Sequence, residues 1–340
     1  MRSWLQLFRA QTMPATMLCV LAPYLLAGGR DPLTIVAIMA LAIPLHYFSF
    51  GHNSVMDYWL DIHDPNKKHH PLVSGKIRLD DAHKVIHCGW AIISVVLVFF
   101  TWYVSPNPVY ALAALIFYLV FGHAYNDGLD HHTVHSWVPI CLCFTSLVAY
   151  GWFLATGAVD LRFALVLSWA FLTIFYQIAW EGNLKDVFNP EERKNLLRRL
   201  GYVVVYEYDD GVYGSVEIKS WFSMLMMFIR VGVNLVIIML LIALTYSDMF
   251  SLAVACAVLF VLSFIENIEV ANIHGKLRYF SRQEMLEHFG KAEAVEFFRI
   301  LTPVVAMGDL PLFLVIVTYS ILYFVLMNRI LWGTRFGPKV

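Results

Sequence analysis

The chain has 340 residues, 59% of them hydrophobic, and a mean hydropathy of +0.65. Only 14% are charged, against roughly a quarter in a typical soluble domain, so the composition excludes an ordinary soluble protein and points to the membrane. A net charge of −1 offers no electrostatic basis for a nucleic-acid partner, and the five cysteines lie in or beside apolar stretches without the spacing of a disulfide framework.

About 20 apolar residues span a bilayer as a helix. Nine segments qualify: 12–28, 33–57, 83–105, 107–125, 136–157, 161–182, 220–246, 250–268 and 309–332. The expected fold is an all-α polytopic membrane protein, a single bundle of about nine transmembrane helices over residues 1–340. The first segment follows Arg2 and Arg9 without a cleavage site and reads as a retained helix.

The loops alternate in charge. Long ones carry Lys67, Lys68, Lys76, Arg78 and Lys84, then Lys185, Arg193, Lys194, Arg198 and Arg199, then Lys276, Arg278 and Arg282. The intervening loops are short: "GGRDP", "SPNP", "TGAVDLR" and "YSDM". The positive-inside rule places the N-terminus and the long loops in the cytoplasm, at the cell inner membrane, although a ninth span carries Arg329, Arg335 and Lys339 to the opposite face. Within the long loops, 202–218 alternates β-formers around Asp-Asp-Gly and predicts a hairpin. Residues 270–300 are polar and periodic and predict amphipathic helix. Both read as decoration, since loops are the variable parts of a fold.

The second apolar segment ends in "NSVMDYWLDIHDPNKKHHPLVSG" (53–75). Residues i and i+4 lie one above the other on a helix, so Asn53, Asp57 and Asp61 form one polar stripe. Stacked carboxylates repel unless a cation lies between them, and Mg²⁺ takes oxygen ligands while bridging carboxylates to phosphates. A second cluster ends the sixth segment, "YQIAWEGNLKDVFNPEER" (176–193). There Asn183, Asp186 and Asn189 share a helix face by their spacing of three, beside Glu181 and Lys185. Two oxygen-rich helix ends on one side of the membrane suit a diphosphate with Mg²⁺.

With these two clusters the chain resembles the UbiA superfamily of intramembrane prenyltransferases. That family has nine membrane helices, with an Asn-x-x-x-Asp-x-x-x-Asp motif ending the second and another Asp-rich motif ending the sixth. The first motif is intact as Asn53, Asp57 and Asp61. The chain departs from the family at three places. His70 precedes Pro-x-x-Ser-Gly where Arg is usual, His131 follows Tyr125 by six residues where Lys is usual, and Gly182 stands four before Asp186 where a second Asp is usual.

The resemblance implies transfer of a prenyl group from a polyprenyl diphosphate to a lipophilic or aromatic acceptor. Asp57, Asp61 and Asp186 would hold Mg²⁺ with Asn53 assisting, and one of Glu181, Asn183 or Asn189 would supply the missing oxygen. Lys67, Lys68 and Lys185 would grip the phosphates as point charges, joined by His70, Tyr125 and His131. A prenyl-diphosphate cyclase on the same scaffold would use the same metal site without an acceptor. Two rivals come from other classes. "HKVIH" (83–87) and "HHTVH" (131–135) suggest a di-iron oxygenase, since imidazole suits iron. That reading leaves the Asp stripe without a role. A transporter would place its carboxylates near the bilayer midplane and show an internal repeat, and neither is apparent.

Overall fold

The computed structural model describes residues 1–64, 67–129, 135–189, 195–208, 211–244 and 247–335. A short helix α1 (Arg2–Leu7) lies ahead of α2 (Met13–Leu26). Next come α3 (Pro32–Met56), its one-turn extension α4 (Tyr58–Asp61), α5 (Leu79–Val104) and α6 (Pro108–Ala124). Helices α7 (Trp137–Ala155), α8 (Leu161–Tyr176) and α9 (Leu196–Leu200) lead to strands β1 (Gly201–Tyr208) and β2 (Gly211–Ile218). The chain closes with α10 (Ser220–Ala243), α11 (Met249–Gly275), β3 (Phe280–Ser281), α12 (Arg282–Arg299), α13 (Thr302–Ala306) and α14 (Leu310–Trp332).

Among the described residues, eight helices are long and apolar enough to cross a membrane; the first predicted span is a shorter apolar helix, Ala10–Leu26. The chain is an integral membrane protein. Its outer helices present Phe99, Ile242, Phe260 and Leu322 outward, as lipid-facing walls require. Helix α2 is instead buried along nearly its whole length and packs against α7. Gly151 permits that approach, because a Cβ there would lie 2.2 Å from the Val20 carbonyl oxygen.

The short loops start helices in one way. Asp31, Asn107, Asp160 and Asp248 each accept a hydrogen bond from a backbone N–H in the first turn of α3, α6, α8 and α11. These caps satisfy donors that the helix itself leaves orphaned. At the same end of the bundle Arg30 pairs with Asp309, the residue before α14, at 2.6 Å.

β1 and β2 pair antiparallel with Val203 opposite Val216, and β3 adds a short third strand. The sheet is not free decoration. Val216 and Phe280 are buried in one cluster with Trp180, Leu184, Val187 and Leu197, so the hairpin backs the segment that carries the second oxygen cluster. The 270–300 region likewise becomes part of the bundle, since α12 packs along α11. A buried ionic network ties these helices together. Arg299 reaches Glu266, Glu296 and Asn234, Arg230 reaches Glu266 at 3.0 Å, and Glu296 accepts from the Trp169 indole at 2.8 Å. Charges in such surroundings are tolerated only when paired.

Candidate active site

Helical hydrogen bonding continues through the first motif: the Asp57 N–H donates to the Asn53 carbonyl and the Asp61 N–H to the Asp57 carbonyl, both at 2.9 Å. The stripe predicted from spacing is therefore real backbone geometry, carried across the junction of α3 and α4. Asp61 is buried, and Lys67 Nζ donates to its Oδ1 at 2.8 Å. Its other oxygen, Oδ2, is buried with no hydrogen-bond partner among the described residues. Burial raises the Asp61 carboxyl, but the charge and hydrogen bond of Lys67, with His70 and Arg9 behind it, outweigh burial and hold it below its ordinary value.

The second cluster sits where α8 loses its α-helical winding. Gln177–Gly182 is a π-turn, followed by one helical turn (Asn183–Lys185) and a 3₁₀ turn (Asp186–Phe188). π-turns of this kind recur at functional sites because they re-aim side chains within a continuous helix. Both ends of the Asn183 amide are engaged with backbone: Nδ2 donates to Ile178 O at 2.8 Å, and Oδ1 accepts from Leu196 N at 2.6 Å. Asn195 returns a bond to the Asn183 carbonyl, and Arg198 donates to the carbonyls of Val187 and Asn189. Asn183 is thus a brace for the turn. Glu181 differs: it is buried, its Oε2 has no hydrogen-bond partner among the described residues, and it meets Glu293 of α12.

One cavity of about 460 Å³ unites the two clusters, a size within the roughly 300–1,000 Å³ of small-molecule sites. Asn53, Asp57, Asp61, Lys67, His70, Tyr125, Glu181, Asn183, Lys185, Asp186 and Asn189 all line it. Lys68 does not; it is exposed, away from the cavity wall. His131 lies outside the described residues. Leu119, Ile140, Phe144, Ile174 and Phe297 give the same cavity an apolar wall. His70 is tuned by its surroundings: burial pushes it down to about 4, Asp61 opposes that, and Lys67 and Arg9 add to it.

Sequence reasoning missed three contributors. Arg9 lines the cavity and is the one non-glycine residue with positive φ (47°) among the described residues, a conformation that costs energy and often marks a functional position. Arg282, at the start of α12, lines it with a buried Nε that has no hydrogen-bond partner among the described residues. Glu293, also on α12, lines it opposite Glu181. The capping box at Ser281 and Glu284 was the available sign that a helix begins at Arg282. Nothing local showed that it would face the Asp stripe.

The sequence matches the model of the UbiA prenyltransferase family over residues 15–280. This chain belongs to the UbiA prenyltransferase family. Among solved structures, a digeranylgeranylglyceryl phosphate synthase is similar in fold, with a TM-score of 0.57 and 15% identity over 91% of this chain and 98% of that one. A UbiA homologue from Archaeoglobus fulgidus bound to GPP and Mg²⁺ aligns over 97% of this chain and 99% of its own, with 14% identity and a TM-score of 0.46. No curated protein matches the sequence. The UbiA family match covers the helices that carry both oxygen clusters, from α2 to β3.

Proposed function

We propose that this UbiA-family protein transfers a prenyl group from a polyprenyl diphosphate to a lipophilic or aromatic acceptor within the membrane, releasing diphosphate. The observation that carries the proposal is the single cavity in which Asp57, Asp61 and Asp186 share space with Arg9, Lys67, Lys185 and Arg282 and with an apolar wall. The acidic and basic side chains suit a metal-bound diphosphate, and the apolar wall suits a hydrocarbon chain.

The donor set fits Mg²⁺: it is all oxygen, and the buried, unpartnered Asp61 Oδ2 is a ready ligand atom. Asp57, Asp61 and Asp186 would hold the ion, with Asn53 and Asn189 as amide donors, and Glu181 as a further carboxyl on the cavity wall. When bound, the ion supplies positive charge at the leaving group. The protein's own residues do the remainder. Lys67, Lys185, Arg9 and Arg282 neutralise the diphosphate as the allylic C–O bond breaks and its electron pair moves to the bridging oxygen. Lys67 exchanges its partner Asp61 for a phosphate oxygen. The acceptor nucleophile then bonds to C1 of the allylic cation, and its proton passes to the released diphosphate. Tyr118, Tyr125, Phe144 and Phe297 line the cavity, and aromatic faces stabilise such a cation.

The test is mass spectrometry of products from membranes supplied with labelled prenyl diphosphates of several lengths and with quinone-ring, porphyrin and glycerol-lipid acceptors. A prenylated product that requires Asp57 supports the reading. Diphosphate release with a cyclised hydrocarbon and no adduct would replace transfer by cyclisation.

A further inference from the structure

Next to the oxygen-rich site stands a cluster of a different chemistry. His52 lies near the end of α3 and is buried, with 4% of its surface exposed. His123 lies in the last turn of α6, and Asp127 in the π-turn Tyr125–Leu129 that continues it. His52 Nε2 is 3.0 Å from Asp127 Oδ1, and His123 Nδ1 is 3.5 Å from Asp127 Oδ2. One ligand atom from each of the three lies within 4.8 Å of the others. Atoms bound to one ion at about 2.0–2.2 Å stand roughly 3.0–3.5 Å apart, and the two separations, each to a different Asp127 oxygen, fall in that range as those of ion pairs also do.

We infer that His52, His123 and Asp127 form a binding site for a divalent transition-metal ion, distinct from the Asp57/Asp61/Asp186 set. Two imidazoles and one carboxylate select Zn²⁺, Fe²⁺ or Co²⁺ over Mg²⁺, because nitrogen donors suit the borderline metals and Mg²⁺ keeps to oxygen. Three protein ligands leave coordination positions open, and His52 and His123 both line the cavity, so an added ligand reaches the ion from there.

A side-chain amide, presenting its Nδ2 in this structure, stands where a metal-bound His52 needs an outer partner. His52 Nδ1 lies 3.3 Å from the Asn126 amide, which in turn lies 3.4 Å from the Asn53 amide. A metal on His52 Nε2 requires a proton on Nδ1, and turning the Asn126 carboxamide over provides the acceptor. Asn53 then turns as well, so that its oxygen accepts from Asn126 and is no longer offered to Mg²⁺, whose carboxylate ligands are unaffected. Close by, the His87 ring packs edge-on to His52 with centroids 6.3 Å apart, and His83 follows at 5.8 Å from His87. These two belong to the "HKVIH" motif, which the prenyl-transfer chemistry leaves unused.

The experiment is a Co²⁺ titration of tag-free, chelator-stripped protein in detergent with millimolar Mg²⁺ present, read by visible d–d absorption. One equivalent should bind in the micromolar range or tighter. His123→Gln and Asp127→Asn should each weaken binding by more than the roughly 10–100-fold that loss of an outer partner causes. His83→Ala and Asp57→Asn should leave it unchanged. Size-exclusion profile and melting temperature of each variant confirm folding, and His123 is half-exposed, so its replacement is tolerated. No d–d absorption at one equivalent overturns the site, and so does absorption that survives both His123→Gln and Asp127→Asn. Loss in Asp57→Asn alone would move the ion to the oxygen cluster. Because the readout is binding, its failure leaves the prenyl-transfer proposal untouched.

Discussion

Lys67 Nζ lies 2.8 Å from Asp61 Oδ1, six residues away across the turn that follows α4. The cation that would grip phosphate is therefore parked on the carboxylate that would bind metal. Lys67 and Mg²⁺ then compete for one carboxylate, the ammonium on Oδ1 repelling an ion at Oδ2. Lys67→Met should lower the Mg²⁺ concentration giving half-maximal activity several-fold, and raise KM for the prenyl diphosphate by about ten- to a hundredfold, the effect of one lost charge-assisted contact of roughly 1.5–3 kcal/mol. Steady-state kinetics over a matrix of Mg²⁺ and donor concentrations separates the two. A weaker Mg²⁺ response in the variant would show that the pair does not compete.

The metal carboxylates and the brace should separate cleanly. Asp57→Asn and Asp186→Asn should each cost about 10²-fold or more in kcat while melting temperature holds, since they would act on developing charge. Asn183→Ala should do the reverse. It strips the Ile178 and Leu196 contacts of a hydrogen-bonded partner, destabilising by about 1–3 kcal/mol, with turnover per folded molecule near normal. Thermal melts alongside kinetics decide. A stable but inactive Asn183→Ala protein would make Asn183 a ligand after all.

Arg282 supplies a test of what α12 contributes. Its buried Nε has no hydrogen-bond partner among the described residues, and the residue lines the cavity. Arg282→Met should raise KM for the diphosphate donor about tenfold, with little change in acceptor KM. Arg282→Lys should restore part of the loss through charge alone. Equal changes in both KM values would mean that the substitution merely loosens the helix.

His70 makes stability pH-dependent with a defined sign. The unfolded chain protonates it near 6.5, whereas burial lowers it to about 4 in the folded protein. Between these values the unfolded state binds more protons, so stability falls as pH drops through that window and does not respond above it. The depressed Asp61 carboxyl acts only at lower pH, where its loss of charge removes the Lys67 pair. Wild-type melting temperature should decline from pH 7 to pH 5, with a shallower slope in His70→Gln. Inorganic diphosphate with saturating Mg²⁺ should reduce the wild-type slope, because an adjacent anion favours the imidazolium. Superimposable slopes for the two proteins would remove His70 from the account.

Local order was written in the sequence itself. Long apolar runs must become membrane helices, because a chain in lipid has to satisfy its own backbone. Spacing by four put Asn53, Asp57 and Asp61 in one column, since that register is a property of the helix and needs no neighbour. The β1–β2 hairpin was legible for the same reason: it is made within a few residues of itself. Only tertiary packing could decide which helix ends meet. It brought Arg9 and Arg282 to the wall that Asp61 lines, spent the Asn183 amide on Leu196, left Lys68 outside, and set His52 against Asp127. Those pairings join positions far apart in the chain, and periodicity carries no information about partners beyond a helix's own turns.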